Sequence, residues 1–196
     1  MKKALIILLV DILSSCQGQN NHTPKTTHTF EDFGWTITIP EGFDPVGEDE
    51  WSKIEERGLE AIEDTYGEEI TELAKNVFVY RNSTFNLFQA NYQNYDEDID
   101  GDFKETSAMV NQMVYETFYS QMPDASIDTS SSIKTISGRE FKGFEVKVVM
   151  PNGIKMHINM YSTYFREIGK QMTMNITSVE PEVHKVMLES FYSSKF

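Results

Sequence analysis

Residues 140–165 read EFKGFEVKVVMPNGIKMHINMYSTYF, and this stretch decides the fold. Its hinge is Pro151-Asn152-Gly153. Asn-Gly between two runs of alternating apolar and polar residues is a strong hairpin signal, because both residues tolerate the positive φ of a tight turn. Beyond the turn, Ile154, Met156, Ile158 and Met160 fall on one side of a strand, and Lys155, His157, Asn159 and Tyr161 on the other. One face is expected to pack on helices and the other to stay at least partly wet.

The hairpin pattern extends in both directions. Residues 133–136 lead through Ser137-Gly138 into the strand at 140–150. After Phe165, the turn Glu167-Ile168-Gly169-Lys170 feeds a strand at 171–177 with Met172, Met174 and Ile176 inward. Pro181 sits near the start of a last helix carrying Val183, Val186, Met187 and Phe191. Towards the amino terminus, Gly34-Trp35-Thr36-Ile37-Thr38-Ile39-Pro40 alternates as a half-buried strand. Residues 49–74 repeat apolar side chains at helical spacing (Trp51, Ile54, Leu59, Ile62, Tyr66, Ile70, Leu73), with Gly67 as a break. Strands at 77–80 and 86–92 flank the turn Asn82-Ser83-Thr84. A helix over 103–121 presents Met109, Val110, Met113, Val114, Thr117 and Phe118, and Pro123 stops it. The expected order is β-α-β-β-α-β-β-β-β-α. Sequential antiparallel hairpins with helices between them predict an α+β fold with a largely antiparallel sheet.

The amino-terminal stretch has another texture. Met1-Lys2-Lys3 is basic, residues 4–13 are mostly apolar, and Leu13-Ser14-Ser15 leads to Cys16, the single cysteine of the chain. A helix needs about 20 apolar residues to span a bilayer, so this leader reads as a signal peptide over 1–15 rather than an anchor. Residues 16–29 are polar without apolar period and read as Cys16 followed by a flexible tether. Residues 30–196 then form a single domain, large enough to bury a core without disulfides. The net charge is −14, and it becomes −15 without the leader, which carries Lys2, Lys3 and Asp11. Such a surface disfavours nucleic acid as a partner and suits a basic protein or a cation better.

Two resemblances follow from these residues. Leu13-Ser14-Ser15-Cys16 behind its leader resembles the lipobox of bacterial lipoproteins. That resemblance implies a diacylglycerol thioether on Cys16, cleavage before it, acylation of the new amino terminus, and residence on a membrane of the bacterial envelope. The domain resembles the Mog1/PsbP-like fold over almost all of residues 30–196. The likeness rests on Phe33-Gly34-Trp35 through Ile39-Pro40-Glu41-Gly42-Phe43, on the four-stranded meander between the second and third helices, and on Ser190-Phe191 in the last helix. Members of that fold include a photosystem assembly subunit, a binder of a small GTPase and secretion-associated chaperones. The resemblance implies an α+β sandwich used for binding rather than chemistry.

Reactive constellations are sparse. The histidines are His22, His28, His157 and His184, and no HExxH, Gly-x-Ser-x-Gly or glycine-rich phosphate loop occurs. No enzyme is therefore expected. Asp96, Asp98, Asp100 and Asp102, with Gly101, reproduce the alternate acids of an EF-hand calcium loop. Ser107, however, stands where the loop requires a bidentate carboxylate, so the acids are expected instead to serve the following helix start, with no cofactor. The sequence thus points to a lipid-anchored, non-catalytic binding or assembly module with a protein partner. Two alternatives remain: an envelope enzyme or cation-dependent protein with a site assembled from distant residues, and an immunity or chaperone protein for a basic partner.

Overall fold

The computed structural model describes residues 23–67 and 74–196. A hairpin of β1 (Thr26–Phe30) and β2 (Trp35–Ile39) forms a small sheet. The large sheet is antiparallel throughout and runs β3-β4-β5-β9-β8-β7-β6. Its strands are β3 (Asp44–Pro45), β4 (Lys75–Ser83), β5 (Asn86–Asn94), β6 (Ser126–Ile136), β7 (Arg139–Val149), β8 (Lys155–Phe165) and β9 (Lys170–Ser178). The helices are α1 (Glu48–Tyr66), the single turn α2 (Glu97–Asp100), α3 (Phe103–Gln121) and α4 (Pro181–Tyr192). The expected order holds, with β1, β3 and α2 as additions. The fold is α+β, with the last strand of the meander returning beside β5 to join the two halves of the sheet.

Helices cover both faces. On one, Val110, Val114 and Phe118 of α3 pack on Phe144, Val146 and Val148 of β7 and on Met156, Ile158 and Met160 of β8. Beside it, Trp51 of α1 packs on Val79, with Ile54, Leu59 and Leu87 around them. The two helices meet where the Tyr66 hydroxyl donates to Glu116 and Gln121 Nε2 donates to the Ala61 carbonyl at 3.4 Å. On the opposite face, α4 and the β1–β2 hairpin close the larger core. Trp35, Ile37, Ile39, Met187 and Phe191 lie against Phe88, Phe141, Phe165, Met172, Met174 and Ile176 there. Most of the core burial, and so most of the hydrophobic stabilisation, sits on this side.

Three expectations are corrected. The face of β8 expected to stay at least partly wet does so only at its start, where Lys155 is exposed and His157 half-buried. Further along, Phe191 of α4 covers Tyr161, and the rings of Phe33 and Phe196 cover Phe165, leaving them 3% and 1% exposed. By contrast Ile154 is 49% exposed, because it belongs to the turn, and Met109 is 53% exposed on the outer side of α3. The polar stretch assigned to the tether ends earlier, since Thr26–Phe30 is strand β1 and pairs with β2 in full register. Thr27 and Thr29 hydrogen-bond across to Thr38 and Thr36 at 2.9 and 3.1 Å, so threonines satisfy each other on its outer side. Phe30 meanwhile packs on the core. In α1, Gly67 caps the helix in the left-handed region, with φ 67°. Ile70 and Leu73, expected in the same helix, lie outside the described residues, as do the leader, Cys16 and the first part of the tether.

Candidate functional site

Alternate residues of β5 and β9 build a polar layer on the sheet face that carries α1 and α3. The register pairs Gln89 with Asn175, Asn91 with Thr173 and Gln93 with Gln171. All six are buried, as is Ser162 beside Thr173 on β8. The groups satisfy each other in a chain that starts on α1. Glu55 accepts from Trp51 Nε1 and, at 2.9 Å, from Asn76 Nδ2. Asn76 Oδ1 accepts from Gln89 Nε2 at 2.9 Å, and Gln89 Oε1 accepts from Asn175 Nδ2 at 3.1 Å. Gln93 Nε2 donates to Gln171 Oε1 at 3.4 Å, and the Ser162 and Thr173 hydroxyls share a bond of 3.0 Å. Asn175 Oδ1 is buried without a hydrogen-bond partner among the described residues. Leaving such an acceptor dry costs about 1–3 kcal/mol. Amides and hydroxyls neither titrate near neutrality nor attack unaided, so this layer can hold and orient a polar group but cannot move protons.

The strict alternation of residues 89–93 and 171–177 was the signal for this layer. It reads as a solvated face, because nothing local in the sequence says that two helices from elsewhere will cover it.

The other sheet face holds a smaller polar group beside α4. His184 is buried, and its ring meets that of His157 with centroids 5.3 Å apart. Burial pushes the His184 imidazole down to about 4; His157 and Lys147 push the same way, and Glu145 opposes them. The register sets His157 directly opposite Lys147, and α4 adds the second imidazole. Next along β8, Asn159 Nδ2 lies 3.4 Å from the Tyr161 hydroxyl, which shares a 2.5 Å bond with the Tyr192 hydroxyl. Burial and that bond raise the Tyr161 pKa, keeping the phenol protonated. His184 Nδ1 and Asn159 Oδ1 are buried without partners among the described residues. A shallow cleft of about 450 Å³ lies further along, lined by Ser137–Glu140, Thr163, Tyr164 and Phe196. Arg139 at its rim stacks over Phe165 and binds Glu167 at 2.7 Å.

The acidic run at 96–102 spans a helical turn and a second helix start. Asp96 caps α2 by accepting from the Asp98 N–H at 3.0 Å, and Asp100 accepts from the Asp96 N–H at 2.9 Å. Asp102 caps α3 through the N–H groups of Lys104 and Glu105 at 2.8 and 3.1 Å. Glu97 is paired with Arg166. Carboxylates thus meet the unpaired N–H groups and positive dipole ends of the two helices. Among the described residues, no three His, Cys, Asp or Glu side chains gather to hold a metal ion. No described helix is long and apolar enough to cross a membrane.

No protein-family model matches the chain, and no curated protein matches it. Solved structures do. The chain is similar to the solution structure of cyanobacterial PsbP from Synechocystis, with a TM-score of 0.57 at 14% identity, over 93% of this chain and 97% of that one. Yeast Mog1p, a Ran-binding protein from Saccharomyces cerevisiae, aligns with a TM-score of 0.42 at 12% identity, over 88% of this chain and 95% of its own. The domain therefore has the PsbP-like α+β architecture, and the resemblance read from residues 33–43 and the meander holds at the level of fold.

Proposed function

We propose that this chain is a lipid-anchored, non-catalytic binding or assembly module of the bacterial cell envelope, held to its membrane through Cys16. The observation that carries the reading is the place of the single cysteine, directly after Leu13-Ser14-Ser15 and a basic, apolar leader of signal-peptide length. Acyl chains on one residue anchor stably, since each buried methylene contributes about 0.8 kcal/mol and more than one chain is attached. Two features of the domain are consistent with binding. Its architecture is shared with PsbP, and the polar groups it buries are mostly amides and hydroxyls that hold rather than react.

Fractionation of cells expressing the wild type and Cys16→Ala tests the anchor. The wild type should sediment with membranes and partition into detergent, and the variant should be unlipidated and uncleaved at residue 16. Crosslinking in intact cells tests the binding role and should recover a stoichiometric protein partner. A purified protein that stands alone and turns over an envelope substrate would overturn the reading.

A further inference from the structure

Strand β6 is an outer edge of the large sheet, and it is long, regular and open. It pairs with β7 over eleven residues, Ser126↔Val149 to Ile136↔Arg139, without a register shift. It contains no proline, and every residue from Asp128 to Thr135 is exposed. The hairpin that joins it to β7 fixes which backbone groups face outward. Ser137 and Gly138 both have positive φ, 49° and 85°, as a two-residue type I′ turn requires. In such a hairpin the pair that closes the turn, Ile136 and Arg139, exchanges both of its hydrogen bonds. Even-numbered residues of β6 therefore bond to β7. The N–H and C=O groups of Ile127, Thr129, Ser131, Ile133 and Thr135 point out of the sheet, where β7 cannot satisfy them.

We propose that this edge pairs with β6 of a second copy of the chain, antiparallel and centred on Ser131, making one continuous sheet across a two-fold axis. Three independent features select that register. The first is overlap: Ser131 is the middle residue, so the whole strand from Ser126 to Ile136 pairs with its copy. The second is backbone geometry. Centring on an outward-facing residue sets outward-facing residues opposite one another, so that Ser131 faces Ser131 and Thr129 faces Ile133, each as a hydrogen-bonded pair. The third is charge. The same register sets Asp128 opposite the partner's Lys134, and Lys134 opposite the partner's Asp128, both in the closer, non-hydrogen-bonded positions. Asp128 and Lys134 are even-numbered, so they share one sheet face and meet across the axis. A two-fold interface must be self-complementary, and here each ion pair is generated twice. Exposed Ile133, 64% accessible in the single chain, gains the partner's Thr129 beside it. The segment between the charges is Thr129-Ser130-Ser131-Ser132-Ile133, small enough for two backbones to approach without hindrance.

A foreign extended peptide could use the same edge by strand addition. The symmetric placement of Asp128 and Lys134 about the central residue is a property that only a second copy would exploit.

Sedimentation equilibrium of the full-length chain from roughly 1 µM to 1 mM tests the pairing. Every sample carries Cys16→Ala, so that acyl chains cannot hold two copies together and failure of the anchor cannot be mistaken for failure of the edge. The protein should dimerise reversibly. Asp128→Lys or Lys134→Asp alone should weaken dimerisation about tenfold or more, because two attractions become like-charge oppositions. The double exchange Asp128→Lys/Lys134→Asp should restore it, and an equimolar mixture of the two single variants should form a heterodimer. Ser131→Pro removes an outward N–H without breaking the β7 ladder, and should give a folded monomer. If that variant does not fold, the mixing experiment decides. A Cys16→Ala parent that stays monomeric over the whole range would overturn the proposal, as would a dimer that survives Ser131→Pro. So would a monomeric parent that binds only a foreign strand, or single variants that fail to associate on mixing.

Discussion

At one edge of the large sheet, β3 is two residues long and one of them is Pro45. The β4 strand it partly covers breaks register between Asn76 and Phe78 and again between Arg81 and Ser83. At the other edge, β6 follows β7 for eleven residues with no break. Short strands, proline and bulges are the usual means of keeping sheet edges from pairing with other chains. The β3 side uses all three and the β6 side uses none. Charged side chains are the remaining device, and on β6 the two that lie nearest its middle are of opposite sign and evenly spaced about Ser131. A contrast this sharp within one sheet separates an edge that is closed by its own chain from an edge that its own chain leaves open.

The contrast can be broken most forcefully from behind the open edge. Phe141 of β7 is fully buried and meets Phe191 edge-on at 5.2 Å. Phe141→Ala should cost about 3–5 kcal/mol in chemical denaturation, and should expose β6 and β7 together. A narrower disturbance is Gly143→Val. A Cβ at Gly143 would lie 2.6 Å from Ser132 Oγ and 2.9 Å from the Tyr161 ring, so β6 and β8 both press on that backbone. Overpacking there should cost about 1–3 kcal/mol and raise proteolysis of β6 before the β3 side responds.

Acid should act on the α4 face rather than on either edge. The His184 imidazole is held at about 4 against the ordinary 6.5, with burial as the main cause. The unfolded chain therefore binds a proton between these values that the folded chain refuses. This contribution to stability is complete above about pH 6.5 and is lost as pH falls towards 4. His184→Gln should flatten that part of the Tm-against-pH curve. Asp102→Ala should cost about 1 kcal/mol by removing the α3 cap, and millimolar Ca²⁺ should leave the wild-type Tm unchanged. A Ca²⁺-dependent rise in Tm that disappears in Asp98→Asn/Asp100→Asn would give the acidic run a metal role instead. Smallest of all, Pro45→Val should move stability by no more than about 0.5 kcal/mol. It should also create no self-association, because β3 is too short to template a strand.

What was legible in the sequence was what local chemistry decides. Helix α3 spans Phe103–Gln121 as read, because Asp102 caps its start and Pro123 forbids its continuation. The turns at Ser137-Gly138 and Asn152-Gly153 fall where glycine permits them. What was not legible depends on partners distant in the chain. Thr26–Phe30 has the composition of a linker and becomes a strand only because β2 supplies its hydrogen bonds. The first half of β6, Ser126 to Ser132, lacks an apolar period and is extended because β7 pairs with it. The amide layer of β5 and β9 looks like a wet face until α1 and α3 lie over it.

Site-resolved hydrogen exchange on β6, recorded in dilute and in concentrated protein, tests the open edge most directly. Even-numbered amides, bonded to β7, should be protected at both concentrations. The amides of Ile127, Thr129, Ser131, Ile133 and Thr135 should exchange fast when dilute and become protected when concentrated, while the β3–β4 edge does not change. Odd-numbered amides that exchange at the same rate at both concentrations would contradict the account.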